Sequence, residues 1–272
     1  MAALRRLRAA AGAAAALLPF LAGAGTTATA ARGGETTPFS CSFAHSWTSC
    51  GFAAQATSPD RISEVEAAGV RGVRLETRPG DEGIAGSGGA ERTDLALSPE
   101  ETGCAQGVEQ WWSHSLLFPH DYALPVATRA DPWPWGVVFD FHHTGLEGQA
   151  NFQIQVAGKP PELELAISGG PVESNGGPGS STRRFAVGPV VKGHWYDFVY
   201  HVRWSSGGDG FFDAWVDGRR VVAYRGATLY AGQGCYLKLA NYHTPVGQPV
   251  AVVHARLRRA ASEAGLGLDA PP

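Results

Sequence analysis

Acid–base side chains are concentrated in two short stretches of the chain. In an extended strand alternate side chains share a face, so Asp140 and His142 point to one side while Phe139 and Phe141 point to the other. An imidazole beside a carboxylate can transfer protons near neutral pH. We therefore expect His142 to be reactive, with Asp140 raising its pKa and orienting its ring.

Strict alternation also assigns the neighbours of this pair. Val137 and His143 fall on the apolar face, whereas Val138 falls on the polar face with Asp140 and His142. We expect His143 to be structural.

The second stretch, residues 236–242, places a lysine and two tyrosines on one strand face. Tyr236, Lys238 and Tyr242 alternate with Leu237 and Leu239. A lysine can neutralise a carboxylate and a tyrosine can transfer a proton. Ordinary exposed strands show the same pattern. Residues 236–242 are therefore either part of a catalytic site or a solvent-facing strand.

Candidate ligand-binding groups precede these stretches. Arg74 and Arg78 alternate with Glu76, and they either bind an anionic ligand or form ion pairs on an exposed face. Tryptophans provide either sugar-stacking platforms or core packing, and the candidates are Trp111, Trp112, Trp133 and Trp135.

Short alternating segments dominate the rest of the chain. With 36 Gly and 18 Pro, the sequence favours about a dozen short strands over long helices. The residues Ser58 to Ala68 are predicted to form one short helix. The expected fold is all-β, an antiparallel two-sheet β-sandwich of jelly-roll type with that helix.

The N-terminal region has the pattern of a signal peptide. Arg5, Arg6 and Arg8 precede an apolar run that ends before a small-residue cleavage site, Ala28-Thr29-Ala30. We predict a signal peptide over 1–30, one domain over 31–259 and a disordered tail over 260–272. The protein is expected to be secreted and extracellular, with no further membrane segment.

Charge and cysteine content agree with an exported protein. Loss of the three arginines lowers the formal net charge from −3 to about −6, which is unfavourable for nucleic-acid binding. Four cysteines allow three disulfide pairings, of which we prefer Cys41 with Cys50 and Cys104 with Cys235. The cysteines lack the Cys-x-x-Cys spacing of a zinc site.

The order of motifs resembles that of secreted polysaccharide lyases related to heparin lyase I and glucuronan lyase. The resemblance covers roughly residues 70–258. The motifs are RLETRPGD at 74–81, ERTD at 91–94, GVEQWWS at 107–113, FDFH at 139–142, GHWYDF at 193–198 and KLANY at 238–242.

This resemblance implies a jelly-roll enzyme that cleaves a uronic-acid-containing polysaccharide by β-elimination. It implies His142, Tyr242 and Lys238 as the catalytic groups, the residues that strand alternation also selects. The chain departs from the family at Asp140, where members often have Gln. The candidate substrate-binding residues are Arg74, Arg78, Arg92, Asp140 and Trp112.

Two other classes remain open at this stage. Glu162 and Glu164 share a strand face and could serve a glycoside hydrolase, while a lectin-like binding module needs no catalytic group. The resemblance allows calcium as a cofactor, although no Asp-rich loop with calcium-ligand spacing is present. We expect an anionic polysaccharide as partner and a monomeric protein.

Overall fold

The computed structural model describes residues 36, 38–125, 127, 132–145, 149–171 and 181–268. The predicted signal peptide at 1–30 lies outside the described residues. The strands are β1 (Phe39–Cys41), β2 (Ala53–Ala56), β3 (Ile62–Ala67), β4 (Val70–Thr77), β5 (Glu91–Leu97), β6 (Glu109–Leu117), β7 (Trp135–His143), β8 (Phe152–Ala157), β9 (Glu162–Gly169), β10 (Ser181–Gly188), β11 (Trp195–Arg203), β12 (Phe211–Val216), β13 (Arg219–Arg225), β14 (Cys235–His243) and β15 (Val250–Ala260).

These strands form two sheets. The front sheet has seven strands in the order β10-β9-β8-β7-β14-β5-β2. The back sheet has eight, in the order β13-β12-β11-β6-β15-β4-β3, with β1 also pairing with β15. Neighbouring strands pair antiparallel in both sheets, for example β7 with β14 and β15 with β4. The predicted all-β two-sheet sandwich is confirmed.

The core lies between the inward faces of the two sheets. Phe152 of the front sheet stacks on Phe212 of the back sheet at 4.4 Å between ring centroids. Phe141 meets Trp204 edge to face at 5.0 Å. Each of these side chains is fully buried, and each contributes about 1.5–3 kcal/mol through removal of apolar surface from water.

A β-bulge in β7 changes the predicted faces at one point. The bulge lies between Val137 and Phe139, and it brings Val138 into the core beside Phe139. The prediction that Val138 shares a face with Asp140 was therefore wrong, because a bulge inserts one unpaired residue into the alternation. Asp140 and His142 lie beyond the bulge and still share the outward face.

The helix predicted over Ser58 to Ala68 was also wrong. A short 3₁₀ turn at Pro59–Arg61 leads directly into β3, which pairs with β4 at an edge of the back sheet. Ala68 and Gly69 join these strands with φ values of 47° and 75°, a two-residue hairpin turn. Pairing with a neighbouring strand outweighs the weak helical spacing of two apolar residues.

The short α-helix lies instead at α1 (Pro99–Thr102). The Ser98 side chain caps its N-terminus by accepting a hydrogen bond from the Glu101 backbone N–H at 3.2 Å. Gly103 ends it in the left-handed conformation. Within the described ranges, no helix is long and apolar enough to cross a membrane.

Both preferred disulfides are confirmed. Cys41 bonds to Cys50 across a loop, with 5.7 Å between their Cα atoms. Cys104 bonds to Cys235 with 5.2 Å between Cα atoms, although 131 residues separate them in the chain. The second bond fixes the first residue of β14, the strand that carries Lys238 and Tyr242.

The predicted disordered tail differs from the structure over residues 260–268. Strand β15 continues to Ala260, and a 3₁₀ turn follows at Ala264–Leu266. Leu266 is buried, and the Arg258 guanidinium donates a hydrogen bond to its carbonyl oxygen at 2.9 Å. One apolar side chain and one backbone contact therefore order a segment whose composition looked disordered.

Candidate active site

The two acid–base stretches lie side by side in the front sheet. Strands β7, β14 and β5 are neighbours, and the residues between the polar ones point into the core. Across β7 and β14, Lys238 is opposite Asp140 and Tyr236 is opposite His142; across β14 and β5, Tyr242 is opposite Arg92. We call the outward-facing group the front-face cluster; it consists of Asp140, His142, Tyr236, Lys238, Tyr242 and Arg92.

His142 is held as a neutral imidazole with one nitrogen ready to accept a proton. Its Nδ1 is 3.0 Å from the carbonyl oxygen of His143. A carbonyl only accepts, so Nδ1 carries the hydrogen and Nε2 carries the lone pair. Burial, followed by the positive charge of Lys238, places the pKa of His142 well below its ordinary value. The expectation that Asp140 raises this pKa and orients the ring was wrong.

His143 is buried beside His142, with the two ring centroids 4.5 Å apart. Its ring meets Tyr230 edge to face at 5.5 Å, and its Nδ1 accepts a hydrogen bond from the Gly145 backbone N–H at 3.1 Å. These contacts agree with the structural role predicted for it.

The Tyr236 ring on β14 lies opposite the His142 ring on β7. The two ring centroids are 5.2 Å apart, and the Lys238 Nζ lies 5.5 Å from the Tyr236 centroid. Burial, together with the nearby Asp140, raises the pKa of Tyr236, so its hydroxyl stays protonated.

Tyr242 lies against a cation at the other end of the cluster. The guanidinium carbon of Arg92 lies 3.8 Å from the Tyr242 ring centroid. Trp135 meets the same tyrosine edge to face at 4.7 Å. These two contacts hold the ring and place a positive charge over its face.

Four ionisable groups are buried together in the middle of the cluster. Asp94 Oδ2 is 3.5 Å from Arg92 Nε and 3.9 Å from Lys238 Nζ. Burial raises the pKa of Asp140 to about 7; Lys238 and Arg92 oppose the rise, and Asp94 adds to it. The site thus contains two carboxyl groups and two cations within a nearly dry environment.

Sequence reasoning did not select Asp94 as a site residue. It follows Arg92 at a spacing of two on β5, so alternation places both on the outward face. Its importance depends on β5 lying beside β14, and strand order cannot be read from spacing.

Arg74 and Arg78 do not belong to this site, which corrects their prediction. Val73 and Leu75 point into the core, so Arg74 lies on the outward face of the back sheet, across the sandwich from His142. Its guanidinium pairs with Glu76, and Arg78 Nε lies 2.7 Å from the same carboxylate. The alternative interpretation, ion pairs on an exposed face, fits these residues.

Trp112 is also removed from the substrate-binding residues, because it is fully buried. Its Nε1–H donates to Gln110 Oε1 at 2.9 Å, and its ring packs edge to face on Phe141 at 5.3 Å. Trp111 points the other way and stacks on His201 at 4.1 Å. Alternation separates these two tryptophans but does not tell which one points inward.

One of the two carboxylates considered for hydrolysis, Glu164, is occupied by other contacts. Glu164 on β9 pairs with Arg184 at 2.6 Å and accepts a hydrogen bond from the Gln155 amide. Strand β8 separates β9 from β7 and the front-face cluster. Glu164 is therefore explained by its ion pair at the periphery of the sheet.

The described residues contain no group of three or more His, Cys, Asp or Glu side chains arranged to hold a metal ion.

Comparison with known families defines the class of protein. Residues 33–255 match the family model described as polysaccharide lyase. The chain belongs to this family and is a polysaccharide lyase. The family match supports neither the lectin-like module nor the glycoside hydrolase. A comparison with curated proteins returns no match.

Solved structures share the fold at low sequence identity. The endo-beta-1,4-glucuronan lyase from the fungus Trichoderma reesei is 16% identical over 75% of this chain and 88% of its own, with a TM-score of 0.59. The alginate lyase Aly36B is 13% identical over 84% of this chain and 98% of its own, with a TM-score of 0.56. The chain thus resembles the glucuronan-lyase-like polysaccharide lyases in its architecture.

Proposed function

We propose that the protein cleaves a uronic-acid-containing polysaccharide by β-elimination at the front-face cluster and leaves an unsaturated uronate at the new chain end. The observation that carries this proposal is the neutral His142 beside the cations Lys238 and Arg92 on the same sheet face. Elimination needs a base for a carbon-bound proton and positive charge for the adjacent carboxylate.

The reaction can be assigned to these side chains step by step. Nε2 of His142 removes the proton on the carbon next to the uronate carboxylate, while Lys238 and Arg92 balance the negative charge that builds on that carboxylate. The electron pair forms the carbon–carbon double bond as the glycosidic carbon–oxygen bond breaks. Tyr242 donates its hydroxyl proton to the leaving oxygen.

Polar atoms in the cluster support ligand binding here. Arg92 Nε and Asp94 Oδ2 form an ion pair at 3.5 Å, yet these two atoms and Asp140 Oδ1 are buried and make no hydrogen bond within the part of the chain that the structure describes. Buried polar atoms are normally hydrogen-bonded, so exceptions that cluster at one place indicate a functional constraint.

A weakly charged uronan fits this site better than a highly sulfated polymer. Asp94 already pairs with both cations, so little positive charge remains for several sulfates. The structural relatives are named as lyases of glucuronan and alginate. We therefore infer glucuronan or alginate as the substrate class.

The test is a panel of glucuronan, alginate and heparin, monitored for the ultraviolet absorbance of the conjugated product. We expect a new absorbance with a uronan, and none from the His142→Ala variant. His45→Ala is a matched control, because His45 is exposed in the loop after β1. Reducing ends that appear without the absorbance would indicate hydrolysis and contradict the proposal.

We also infer secretion. Two disulfides are typical of an oxidising compartment. N-terminal sequencing of the exported protein should find a start near residue 31; a protein retained in the cytoplasm would contradict the inference. The monomeric state stays a prediction, checked by light scattering.

A further inference from the structure

Asp140 is the carboxyl group that the proposed reaction leaves without a role. It is 3% exposed, and it faces Lys238 across β14 and Gln153 across β8. Its Oδ1 has no hydrogen-bond partner within the described ranges. A nearly dry carboxylate beside a second acid, Asp94, is costly unless its charge is compensated.

The two carboxyl groups are held very differently. Asp94 Oδ1 accepts a hydrogen bond from the Asn241 backbone N–H at 3.2 Å, and its Oδ2 pairs with Arg92 and Lys238. Asp94 is thus surrounded by two positive charges and a backbone donor. Asp140 lacks such contacts at Oδ1, so a negative charge on Asp140 is the less compensated of the two.

We propose that Asp140 is a positioning residue that holds a proton in the working enzyme, so that the buried cluster keeps one net positive charge for a single uronate carboxylate. This inference rests on the proposed function. Lys238 and Arg92 supply two positive charges and Asp94 one negative charge. A neutral Asp140 leaves the remaining positive charge to a singly charged sugar.

An ionised Asp140 would compete with the substrate. The cluster would then be neutral, and a bound uronate would bring an uncompensated negative charge into a site with little water. The other groups that face Asp140 do not take over its role: Tyr236 on β14 stays protonated, His142 on β7 is neutral and Gln153 on β8 does not titrate.

The consequence is a loss of substrate binding on the alkaline side. Asp140 is protonated below its pKa of about 7 and loses the proton above it. Binding falls with the competent fraction, so kcat/KM should drop about tenfold at pH 8 relative to pH 6, mainly through KM. Asp140→Asn stays neutral at every pH and should remove this fall.

The direct test is an infrared titration of the free protein, which needs no substrate. We expect the C=O stretch of a protonated carboxylic acid at pH 6 that weakens about tenfold by pH 8, and the loss of this pH-dependent band in Asp140→Asn. Asp213→Asn is the matched control, because Asp213 is a buried acid whose pKa is lowered by Arg225 and Arg220 despite burial. Its removal should leave the signal intact.

Three outcomes overturn the inference. They are a signal that persists in Asp140→Asn, an equal alkaline rise of KM in that variant, and a folded Asp140→Asn that is inactive at every pH. If no polyuronate is cleaved, the proposed function fails, whereas the infrared signal still decides whether Asp140 holds the proton.

Discussion

The guanidinium of Arg92 on β5 lies 3.8 Å from the ring centroid of Tyr242 on β14, and the two residues are direct cross-strand partners. This contact distinguishes Tyr242 from Tyr236, which lies instead beside His142 and Lys238. A positive charge next to the phenol can balance negative charge on its oxygen after proton donation. The geometry therefore favours Tyr242 as the acid.

A pair of hydroxyl deletions tests this assignment. Tyr242→Phe should lower kcat by about 100-fold or more, the usual contribution of a positioned proton donor, while its KM changes little. Tyr236→Phe should retain most of the kcat, because its ring still packs on His142. The measurement is steady-state elimination of a uronan. A larger kcat loss in Tyr236→Phe than in Tyr242→Phe would reverse the assignment.

The two cationic regions of the protein provide a second test. Lys238→Met should lower kcat/KM by about 100-fold, because one charge that stabilises the developing anion is lost. Arg74→Met removes a cation from the outward face of the back sheet, where it pairs with Glu76. It should leave kcat/KM close to wild type. A loss of the same size in both variants would mean that the back sheet also takes part in catalysis.

How far sequence could predict this site depends on what alternation encodes. A period of two fixes which side chains share a face, and it selected Asp140 with His142 and Lys238 with Tyr242. In the structure, β7 pairs with β14 so that Lys238 lies opposite Asp140, and this register brings the two pairs of residues into one cluster. The all-β class followed from the same alternation together with the density of glycine and proline.

Alternation does not encode which sheet a strand joins, or which face is the core. Arg74 was therefore assigned to the substrate although β4 lies in the back sheet, and Trp112 was assigned to the surface although it is fully buried. The bulge at Val138 depends on the neighbouring strand β8, so the sequence of β7 alone cannot show it.

The acid side of the pH profile tests His142 as the base. The neutral imidazole is the active form, and its pKa lies well below the ordinary value of 6.5, so activity should persist below pH 6.5 and fall only when the ring is protonated. Because the Lys238 charge contributes to this shift, the residual activity of Lys238→Met should have its acid limb at a higher pH. An identical acid limb in both proteins would contradict the assignment.

Two buried histidines of the core should make stability fall in acid. The rings of His114 and His254 are 6.3 Å apart; burial lowers the pKa of His254 to about 4 and that of His114 well below its ordinary value. In the unfolded chain both rings titrate near 6.5, so below that pH the unfolded state binds more protons and the free energy of unfolding decreases. Protonation of the unfolded state at His254 alone costs about 3 kcal/mol by pH 4.

Urea unfolding at pH 7 and pH 4.5 measures this loss of stability. His254→Gln keeps a donor toward the Ala240 carbonyl but cannot titrate. The variant should therefore lose less stability between the two pH values than wild type, and an equal loss in both proteins would show that His254 does not carry the effect.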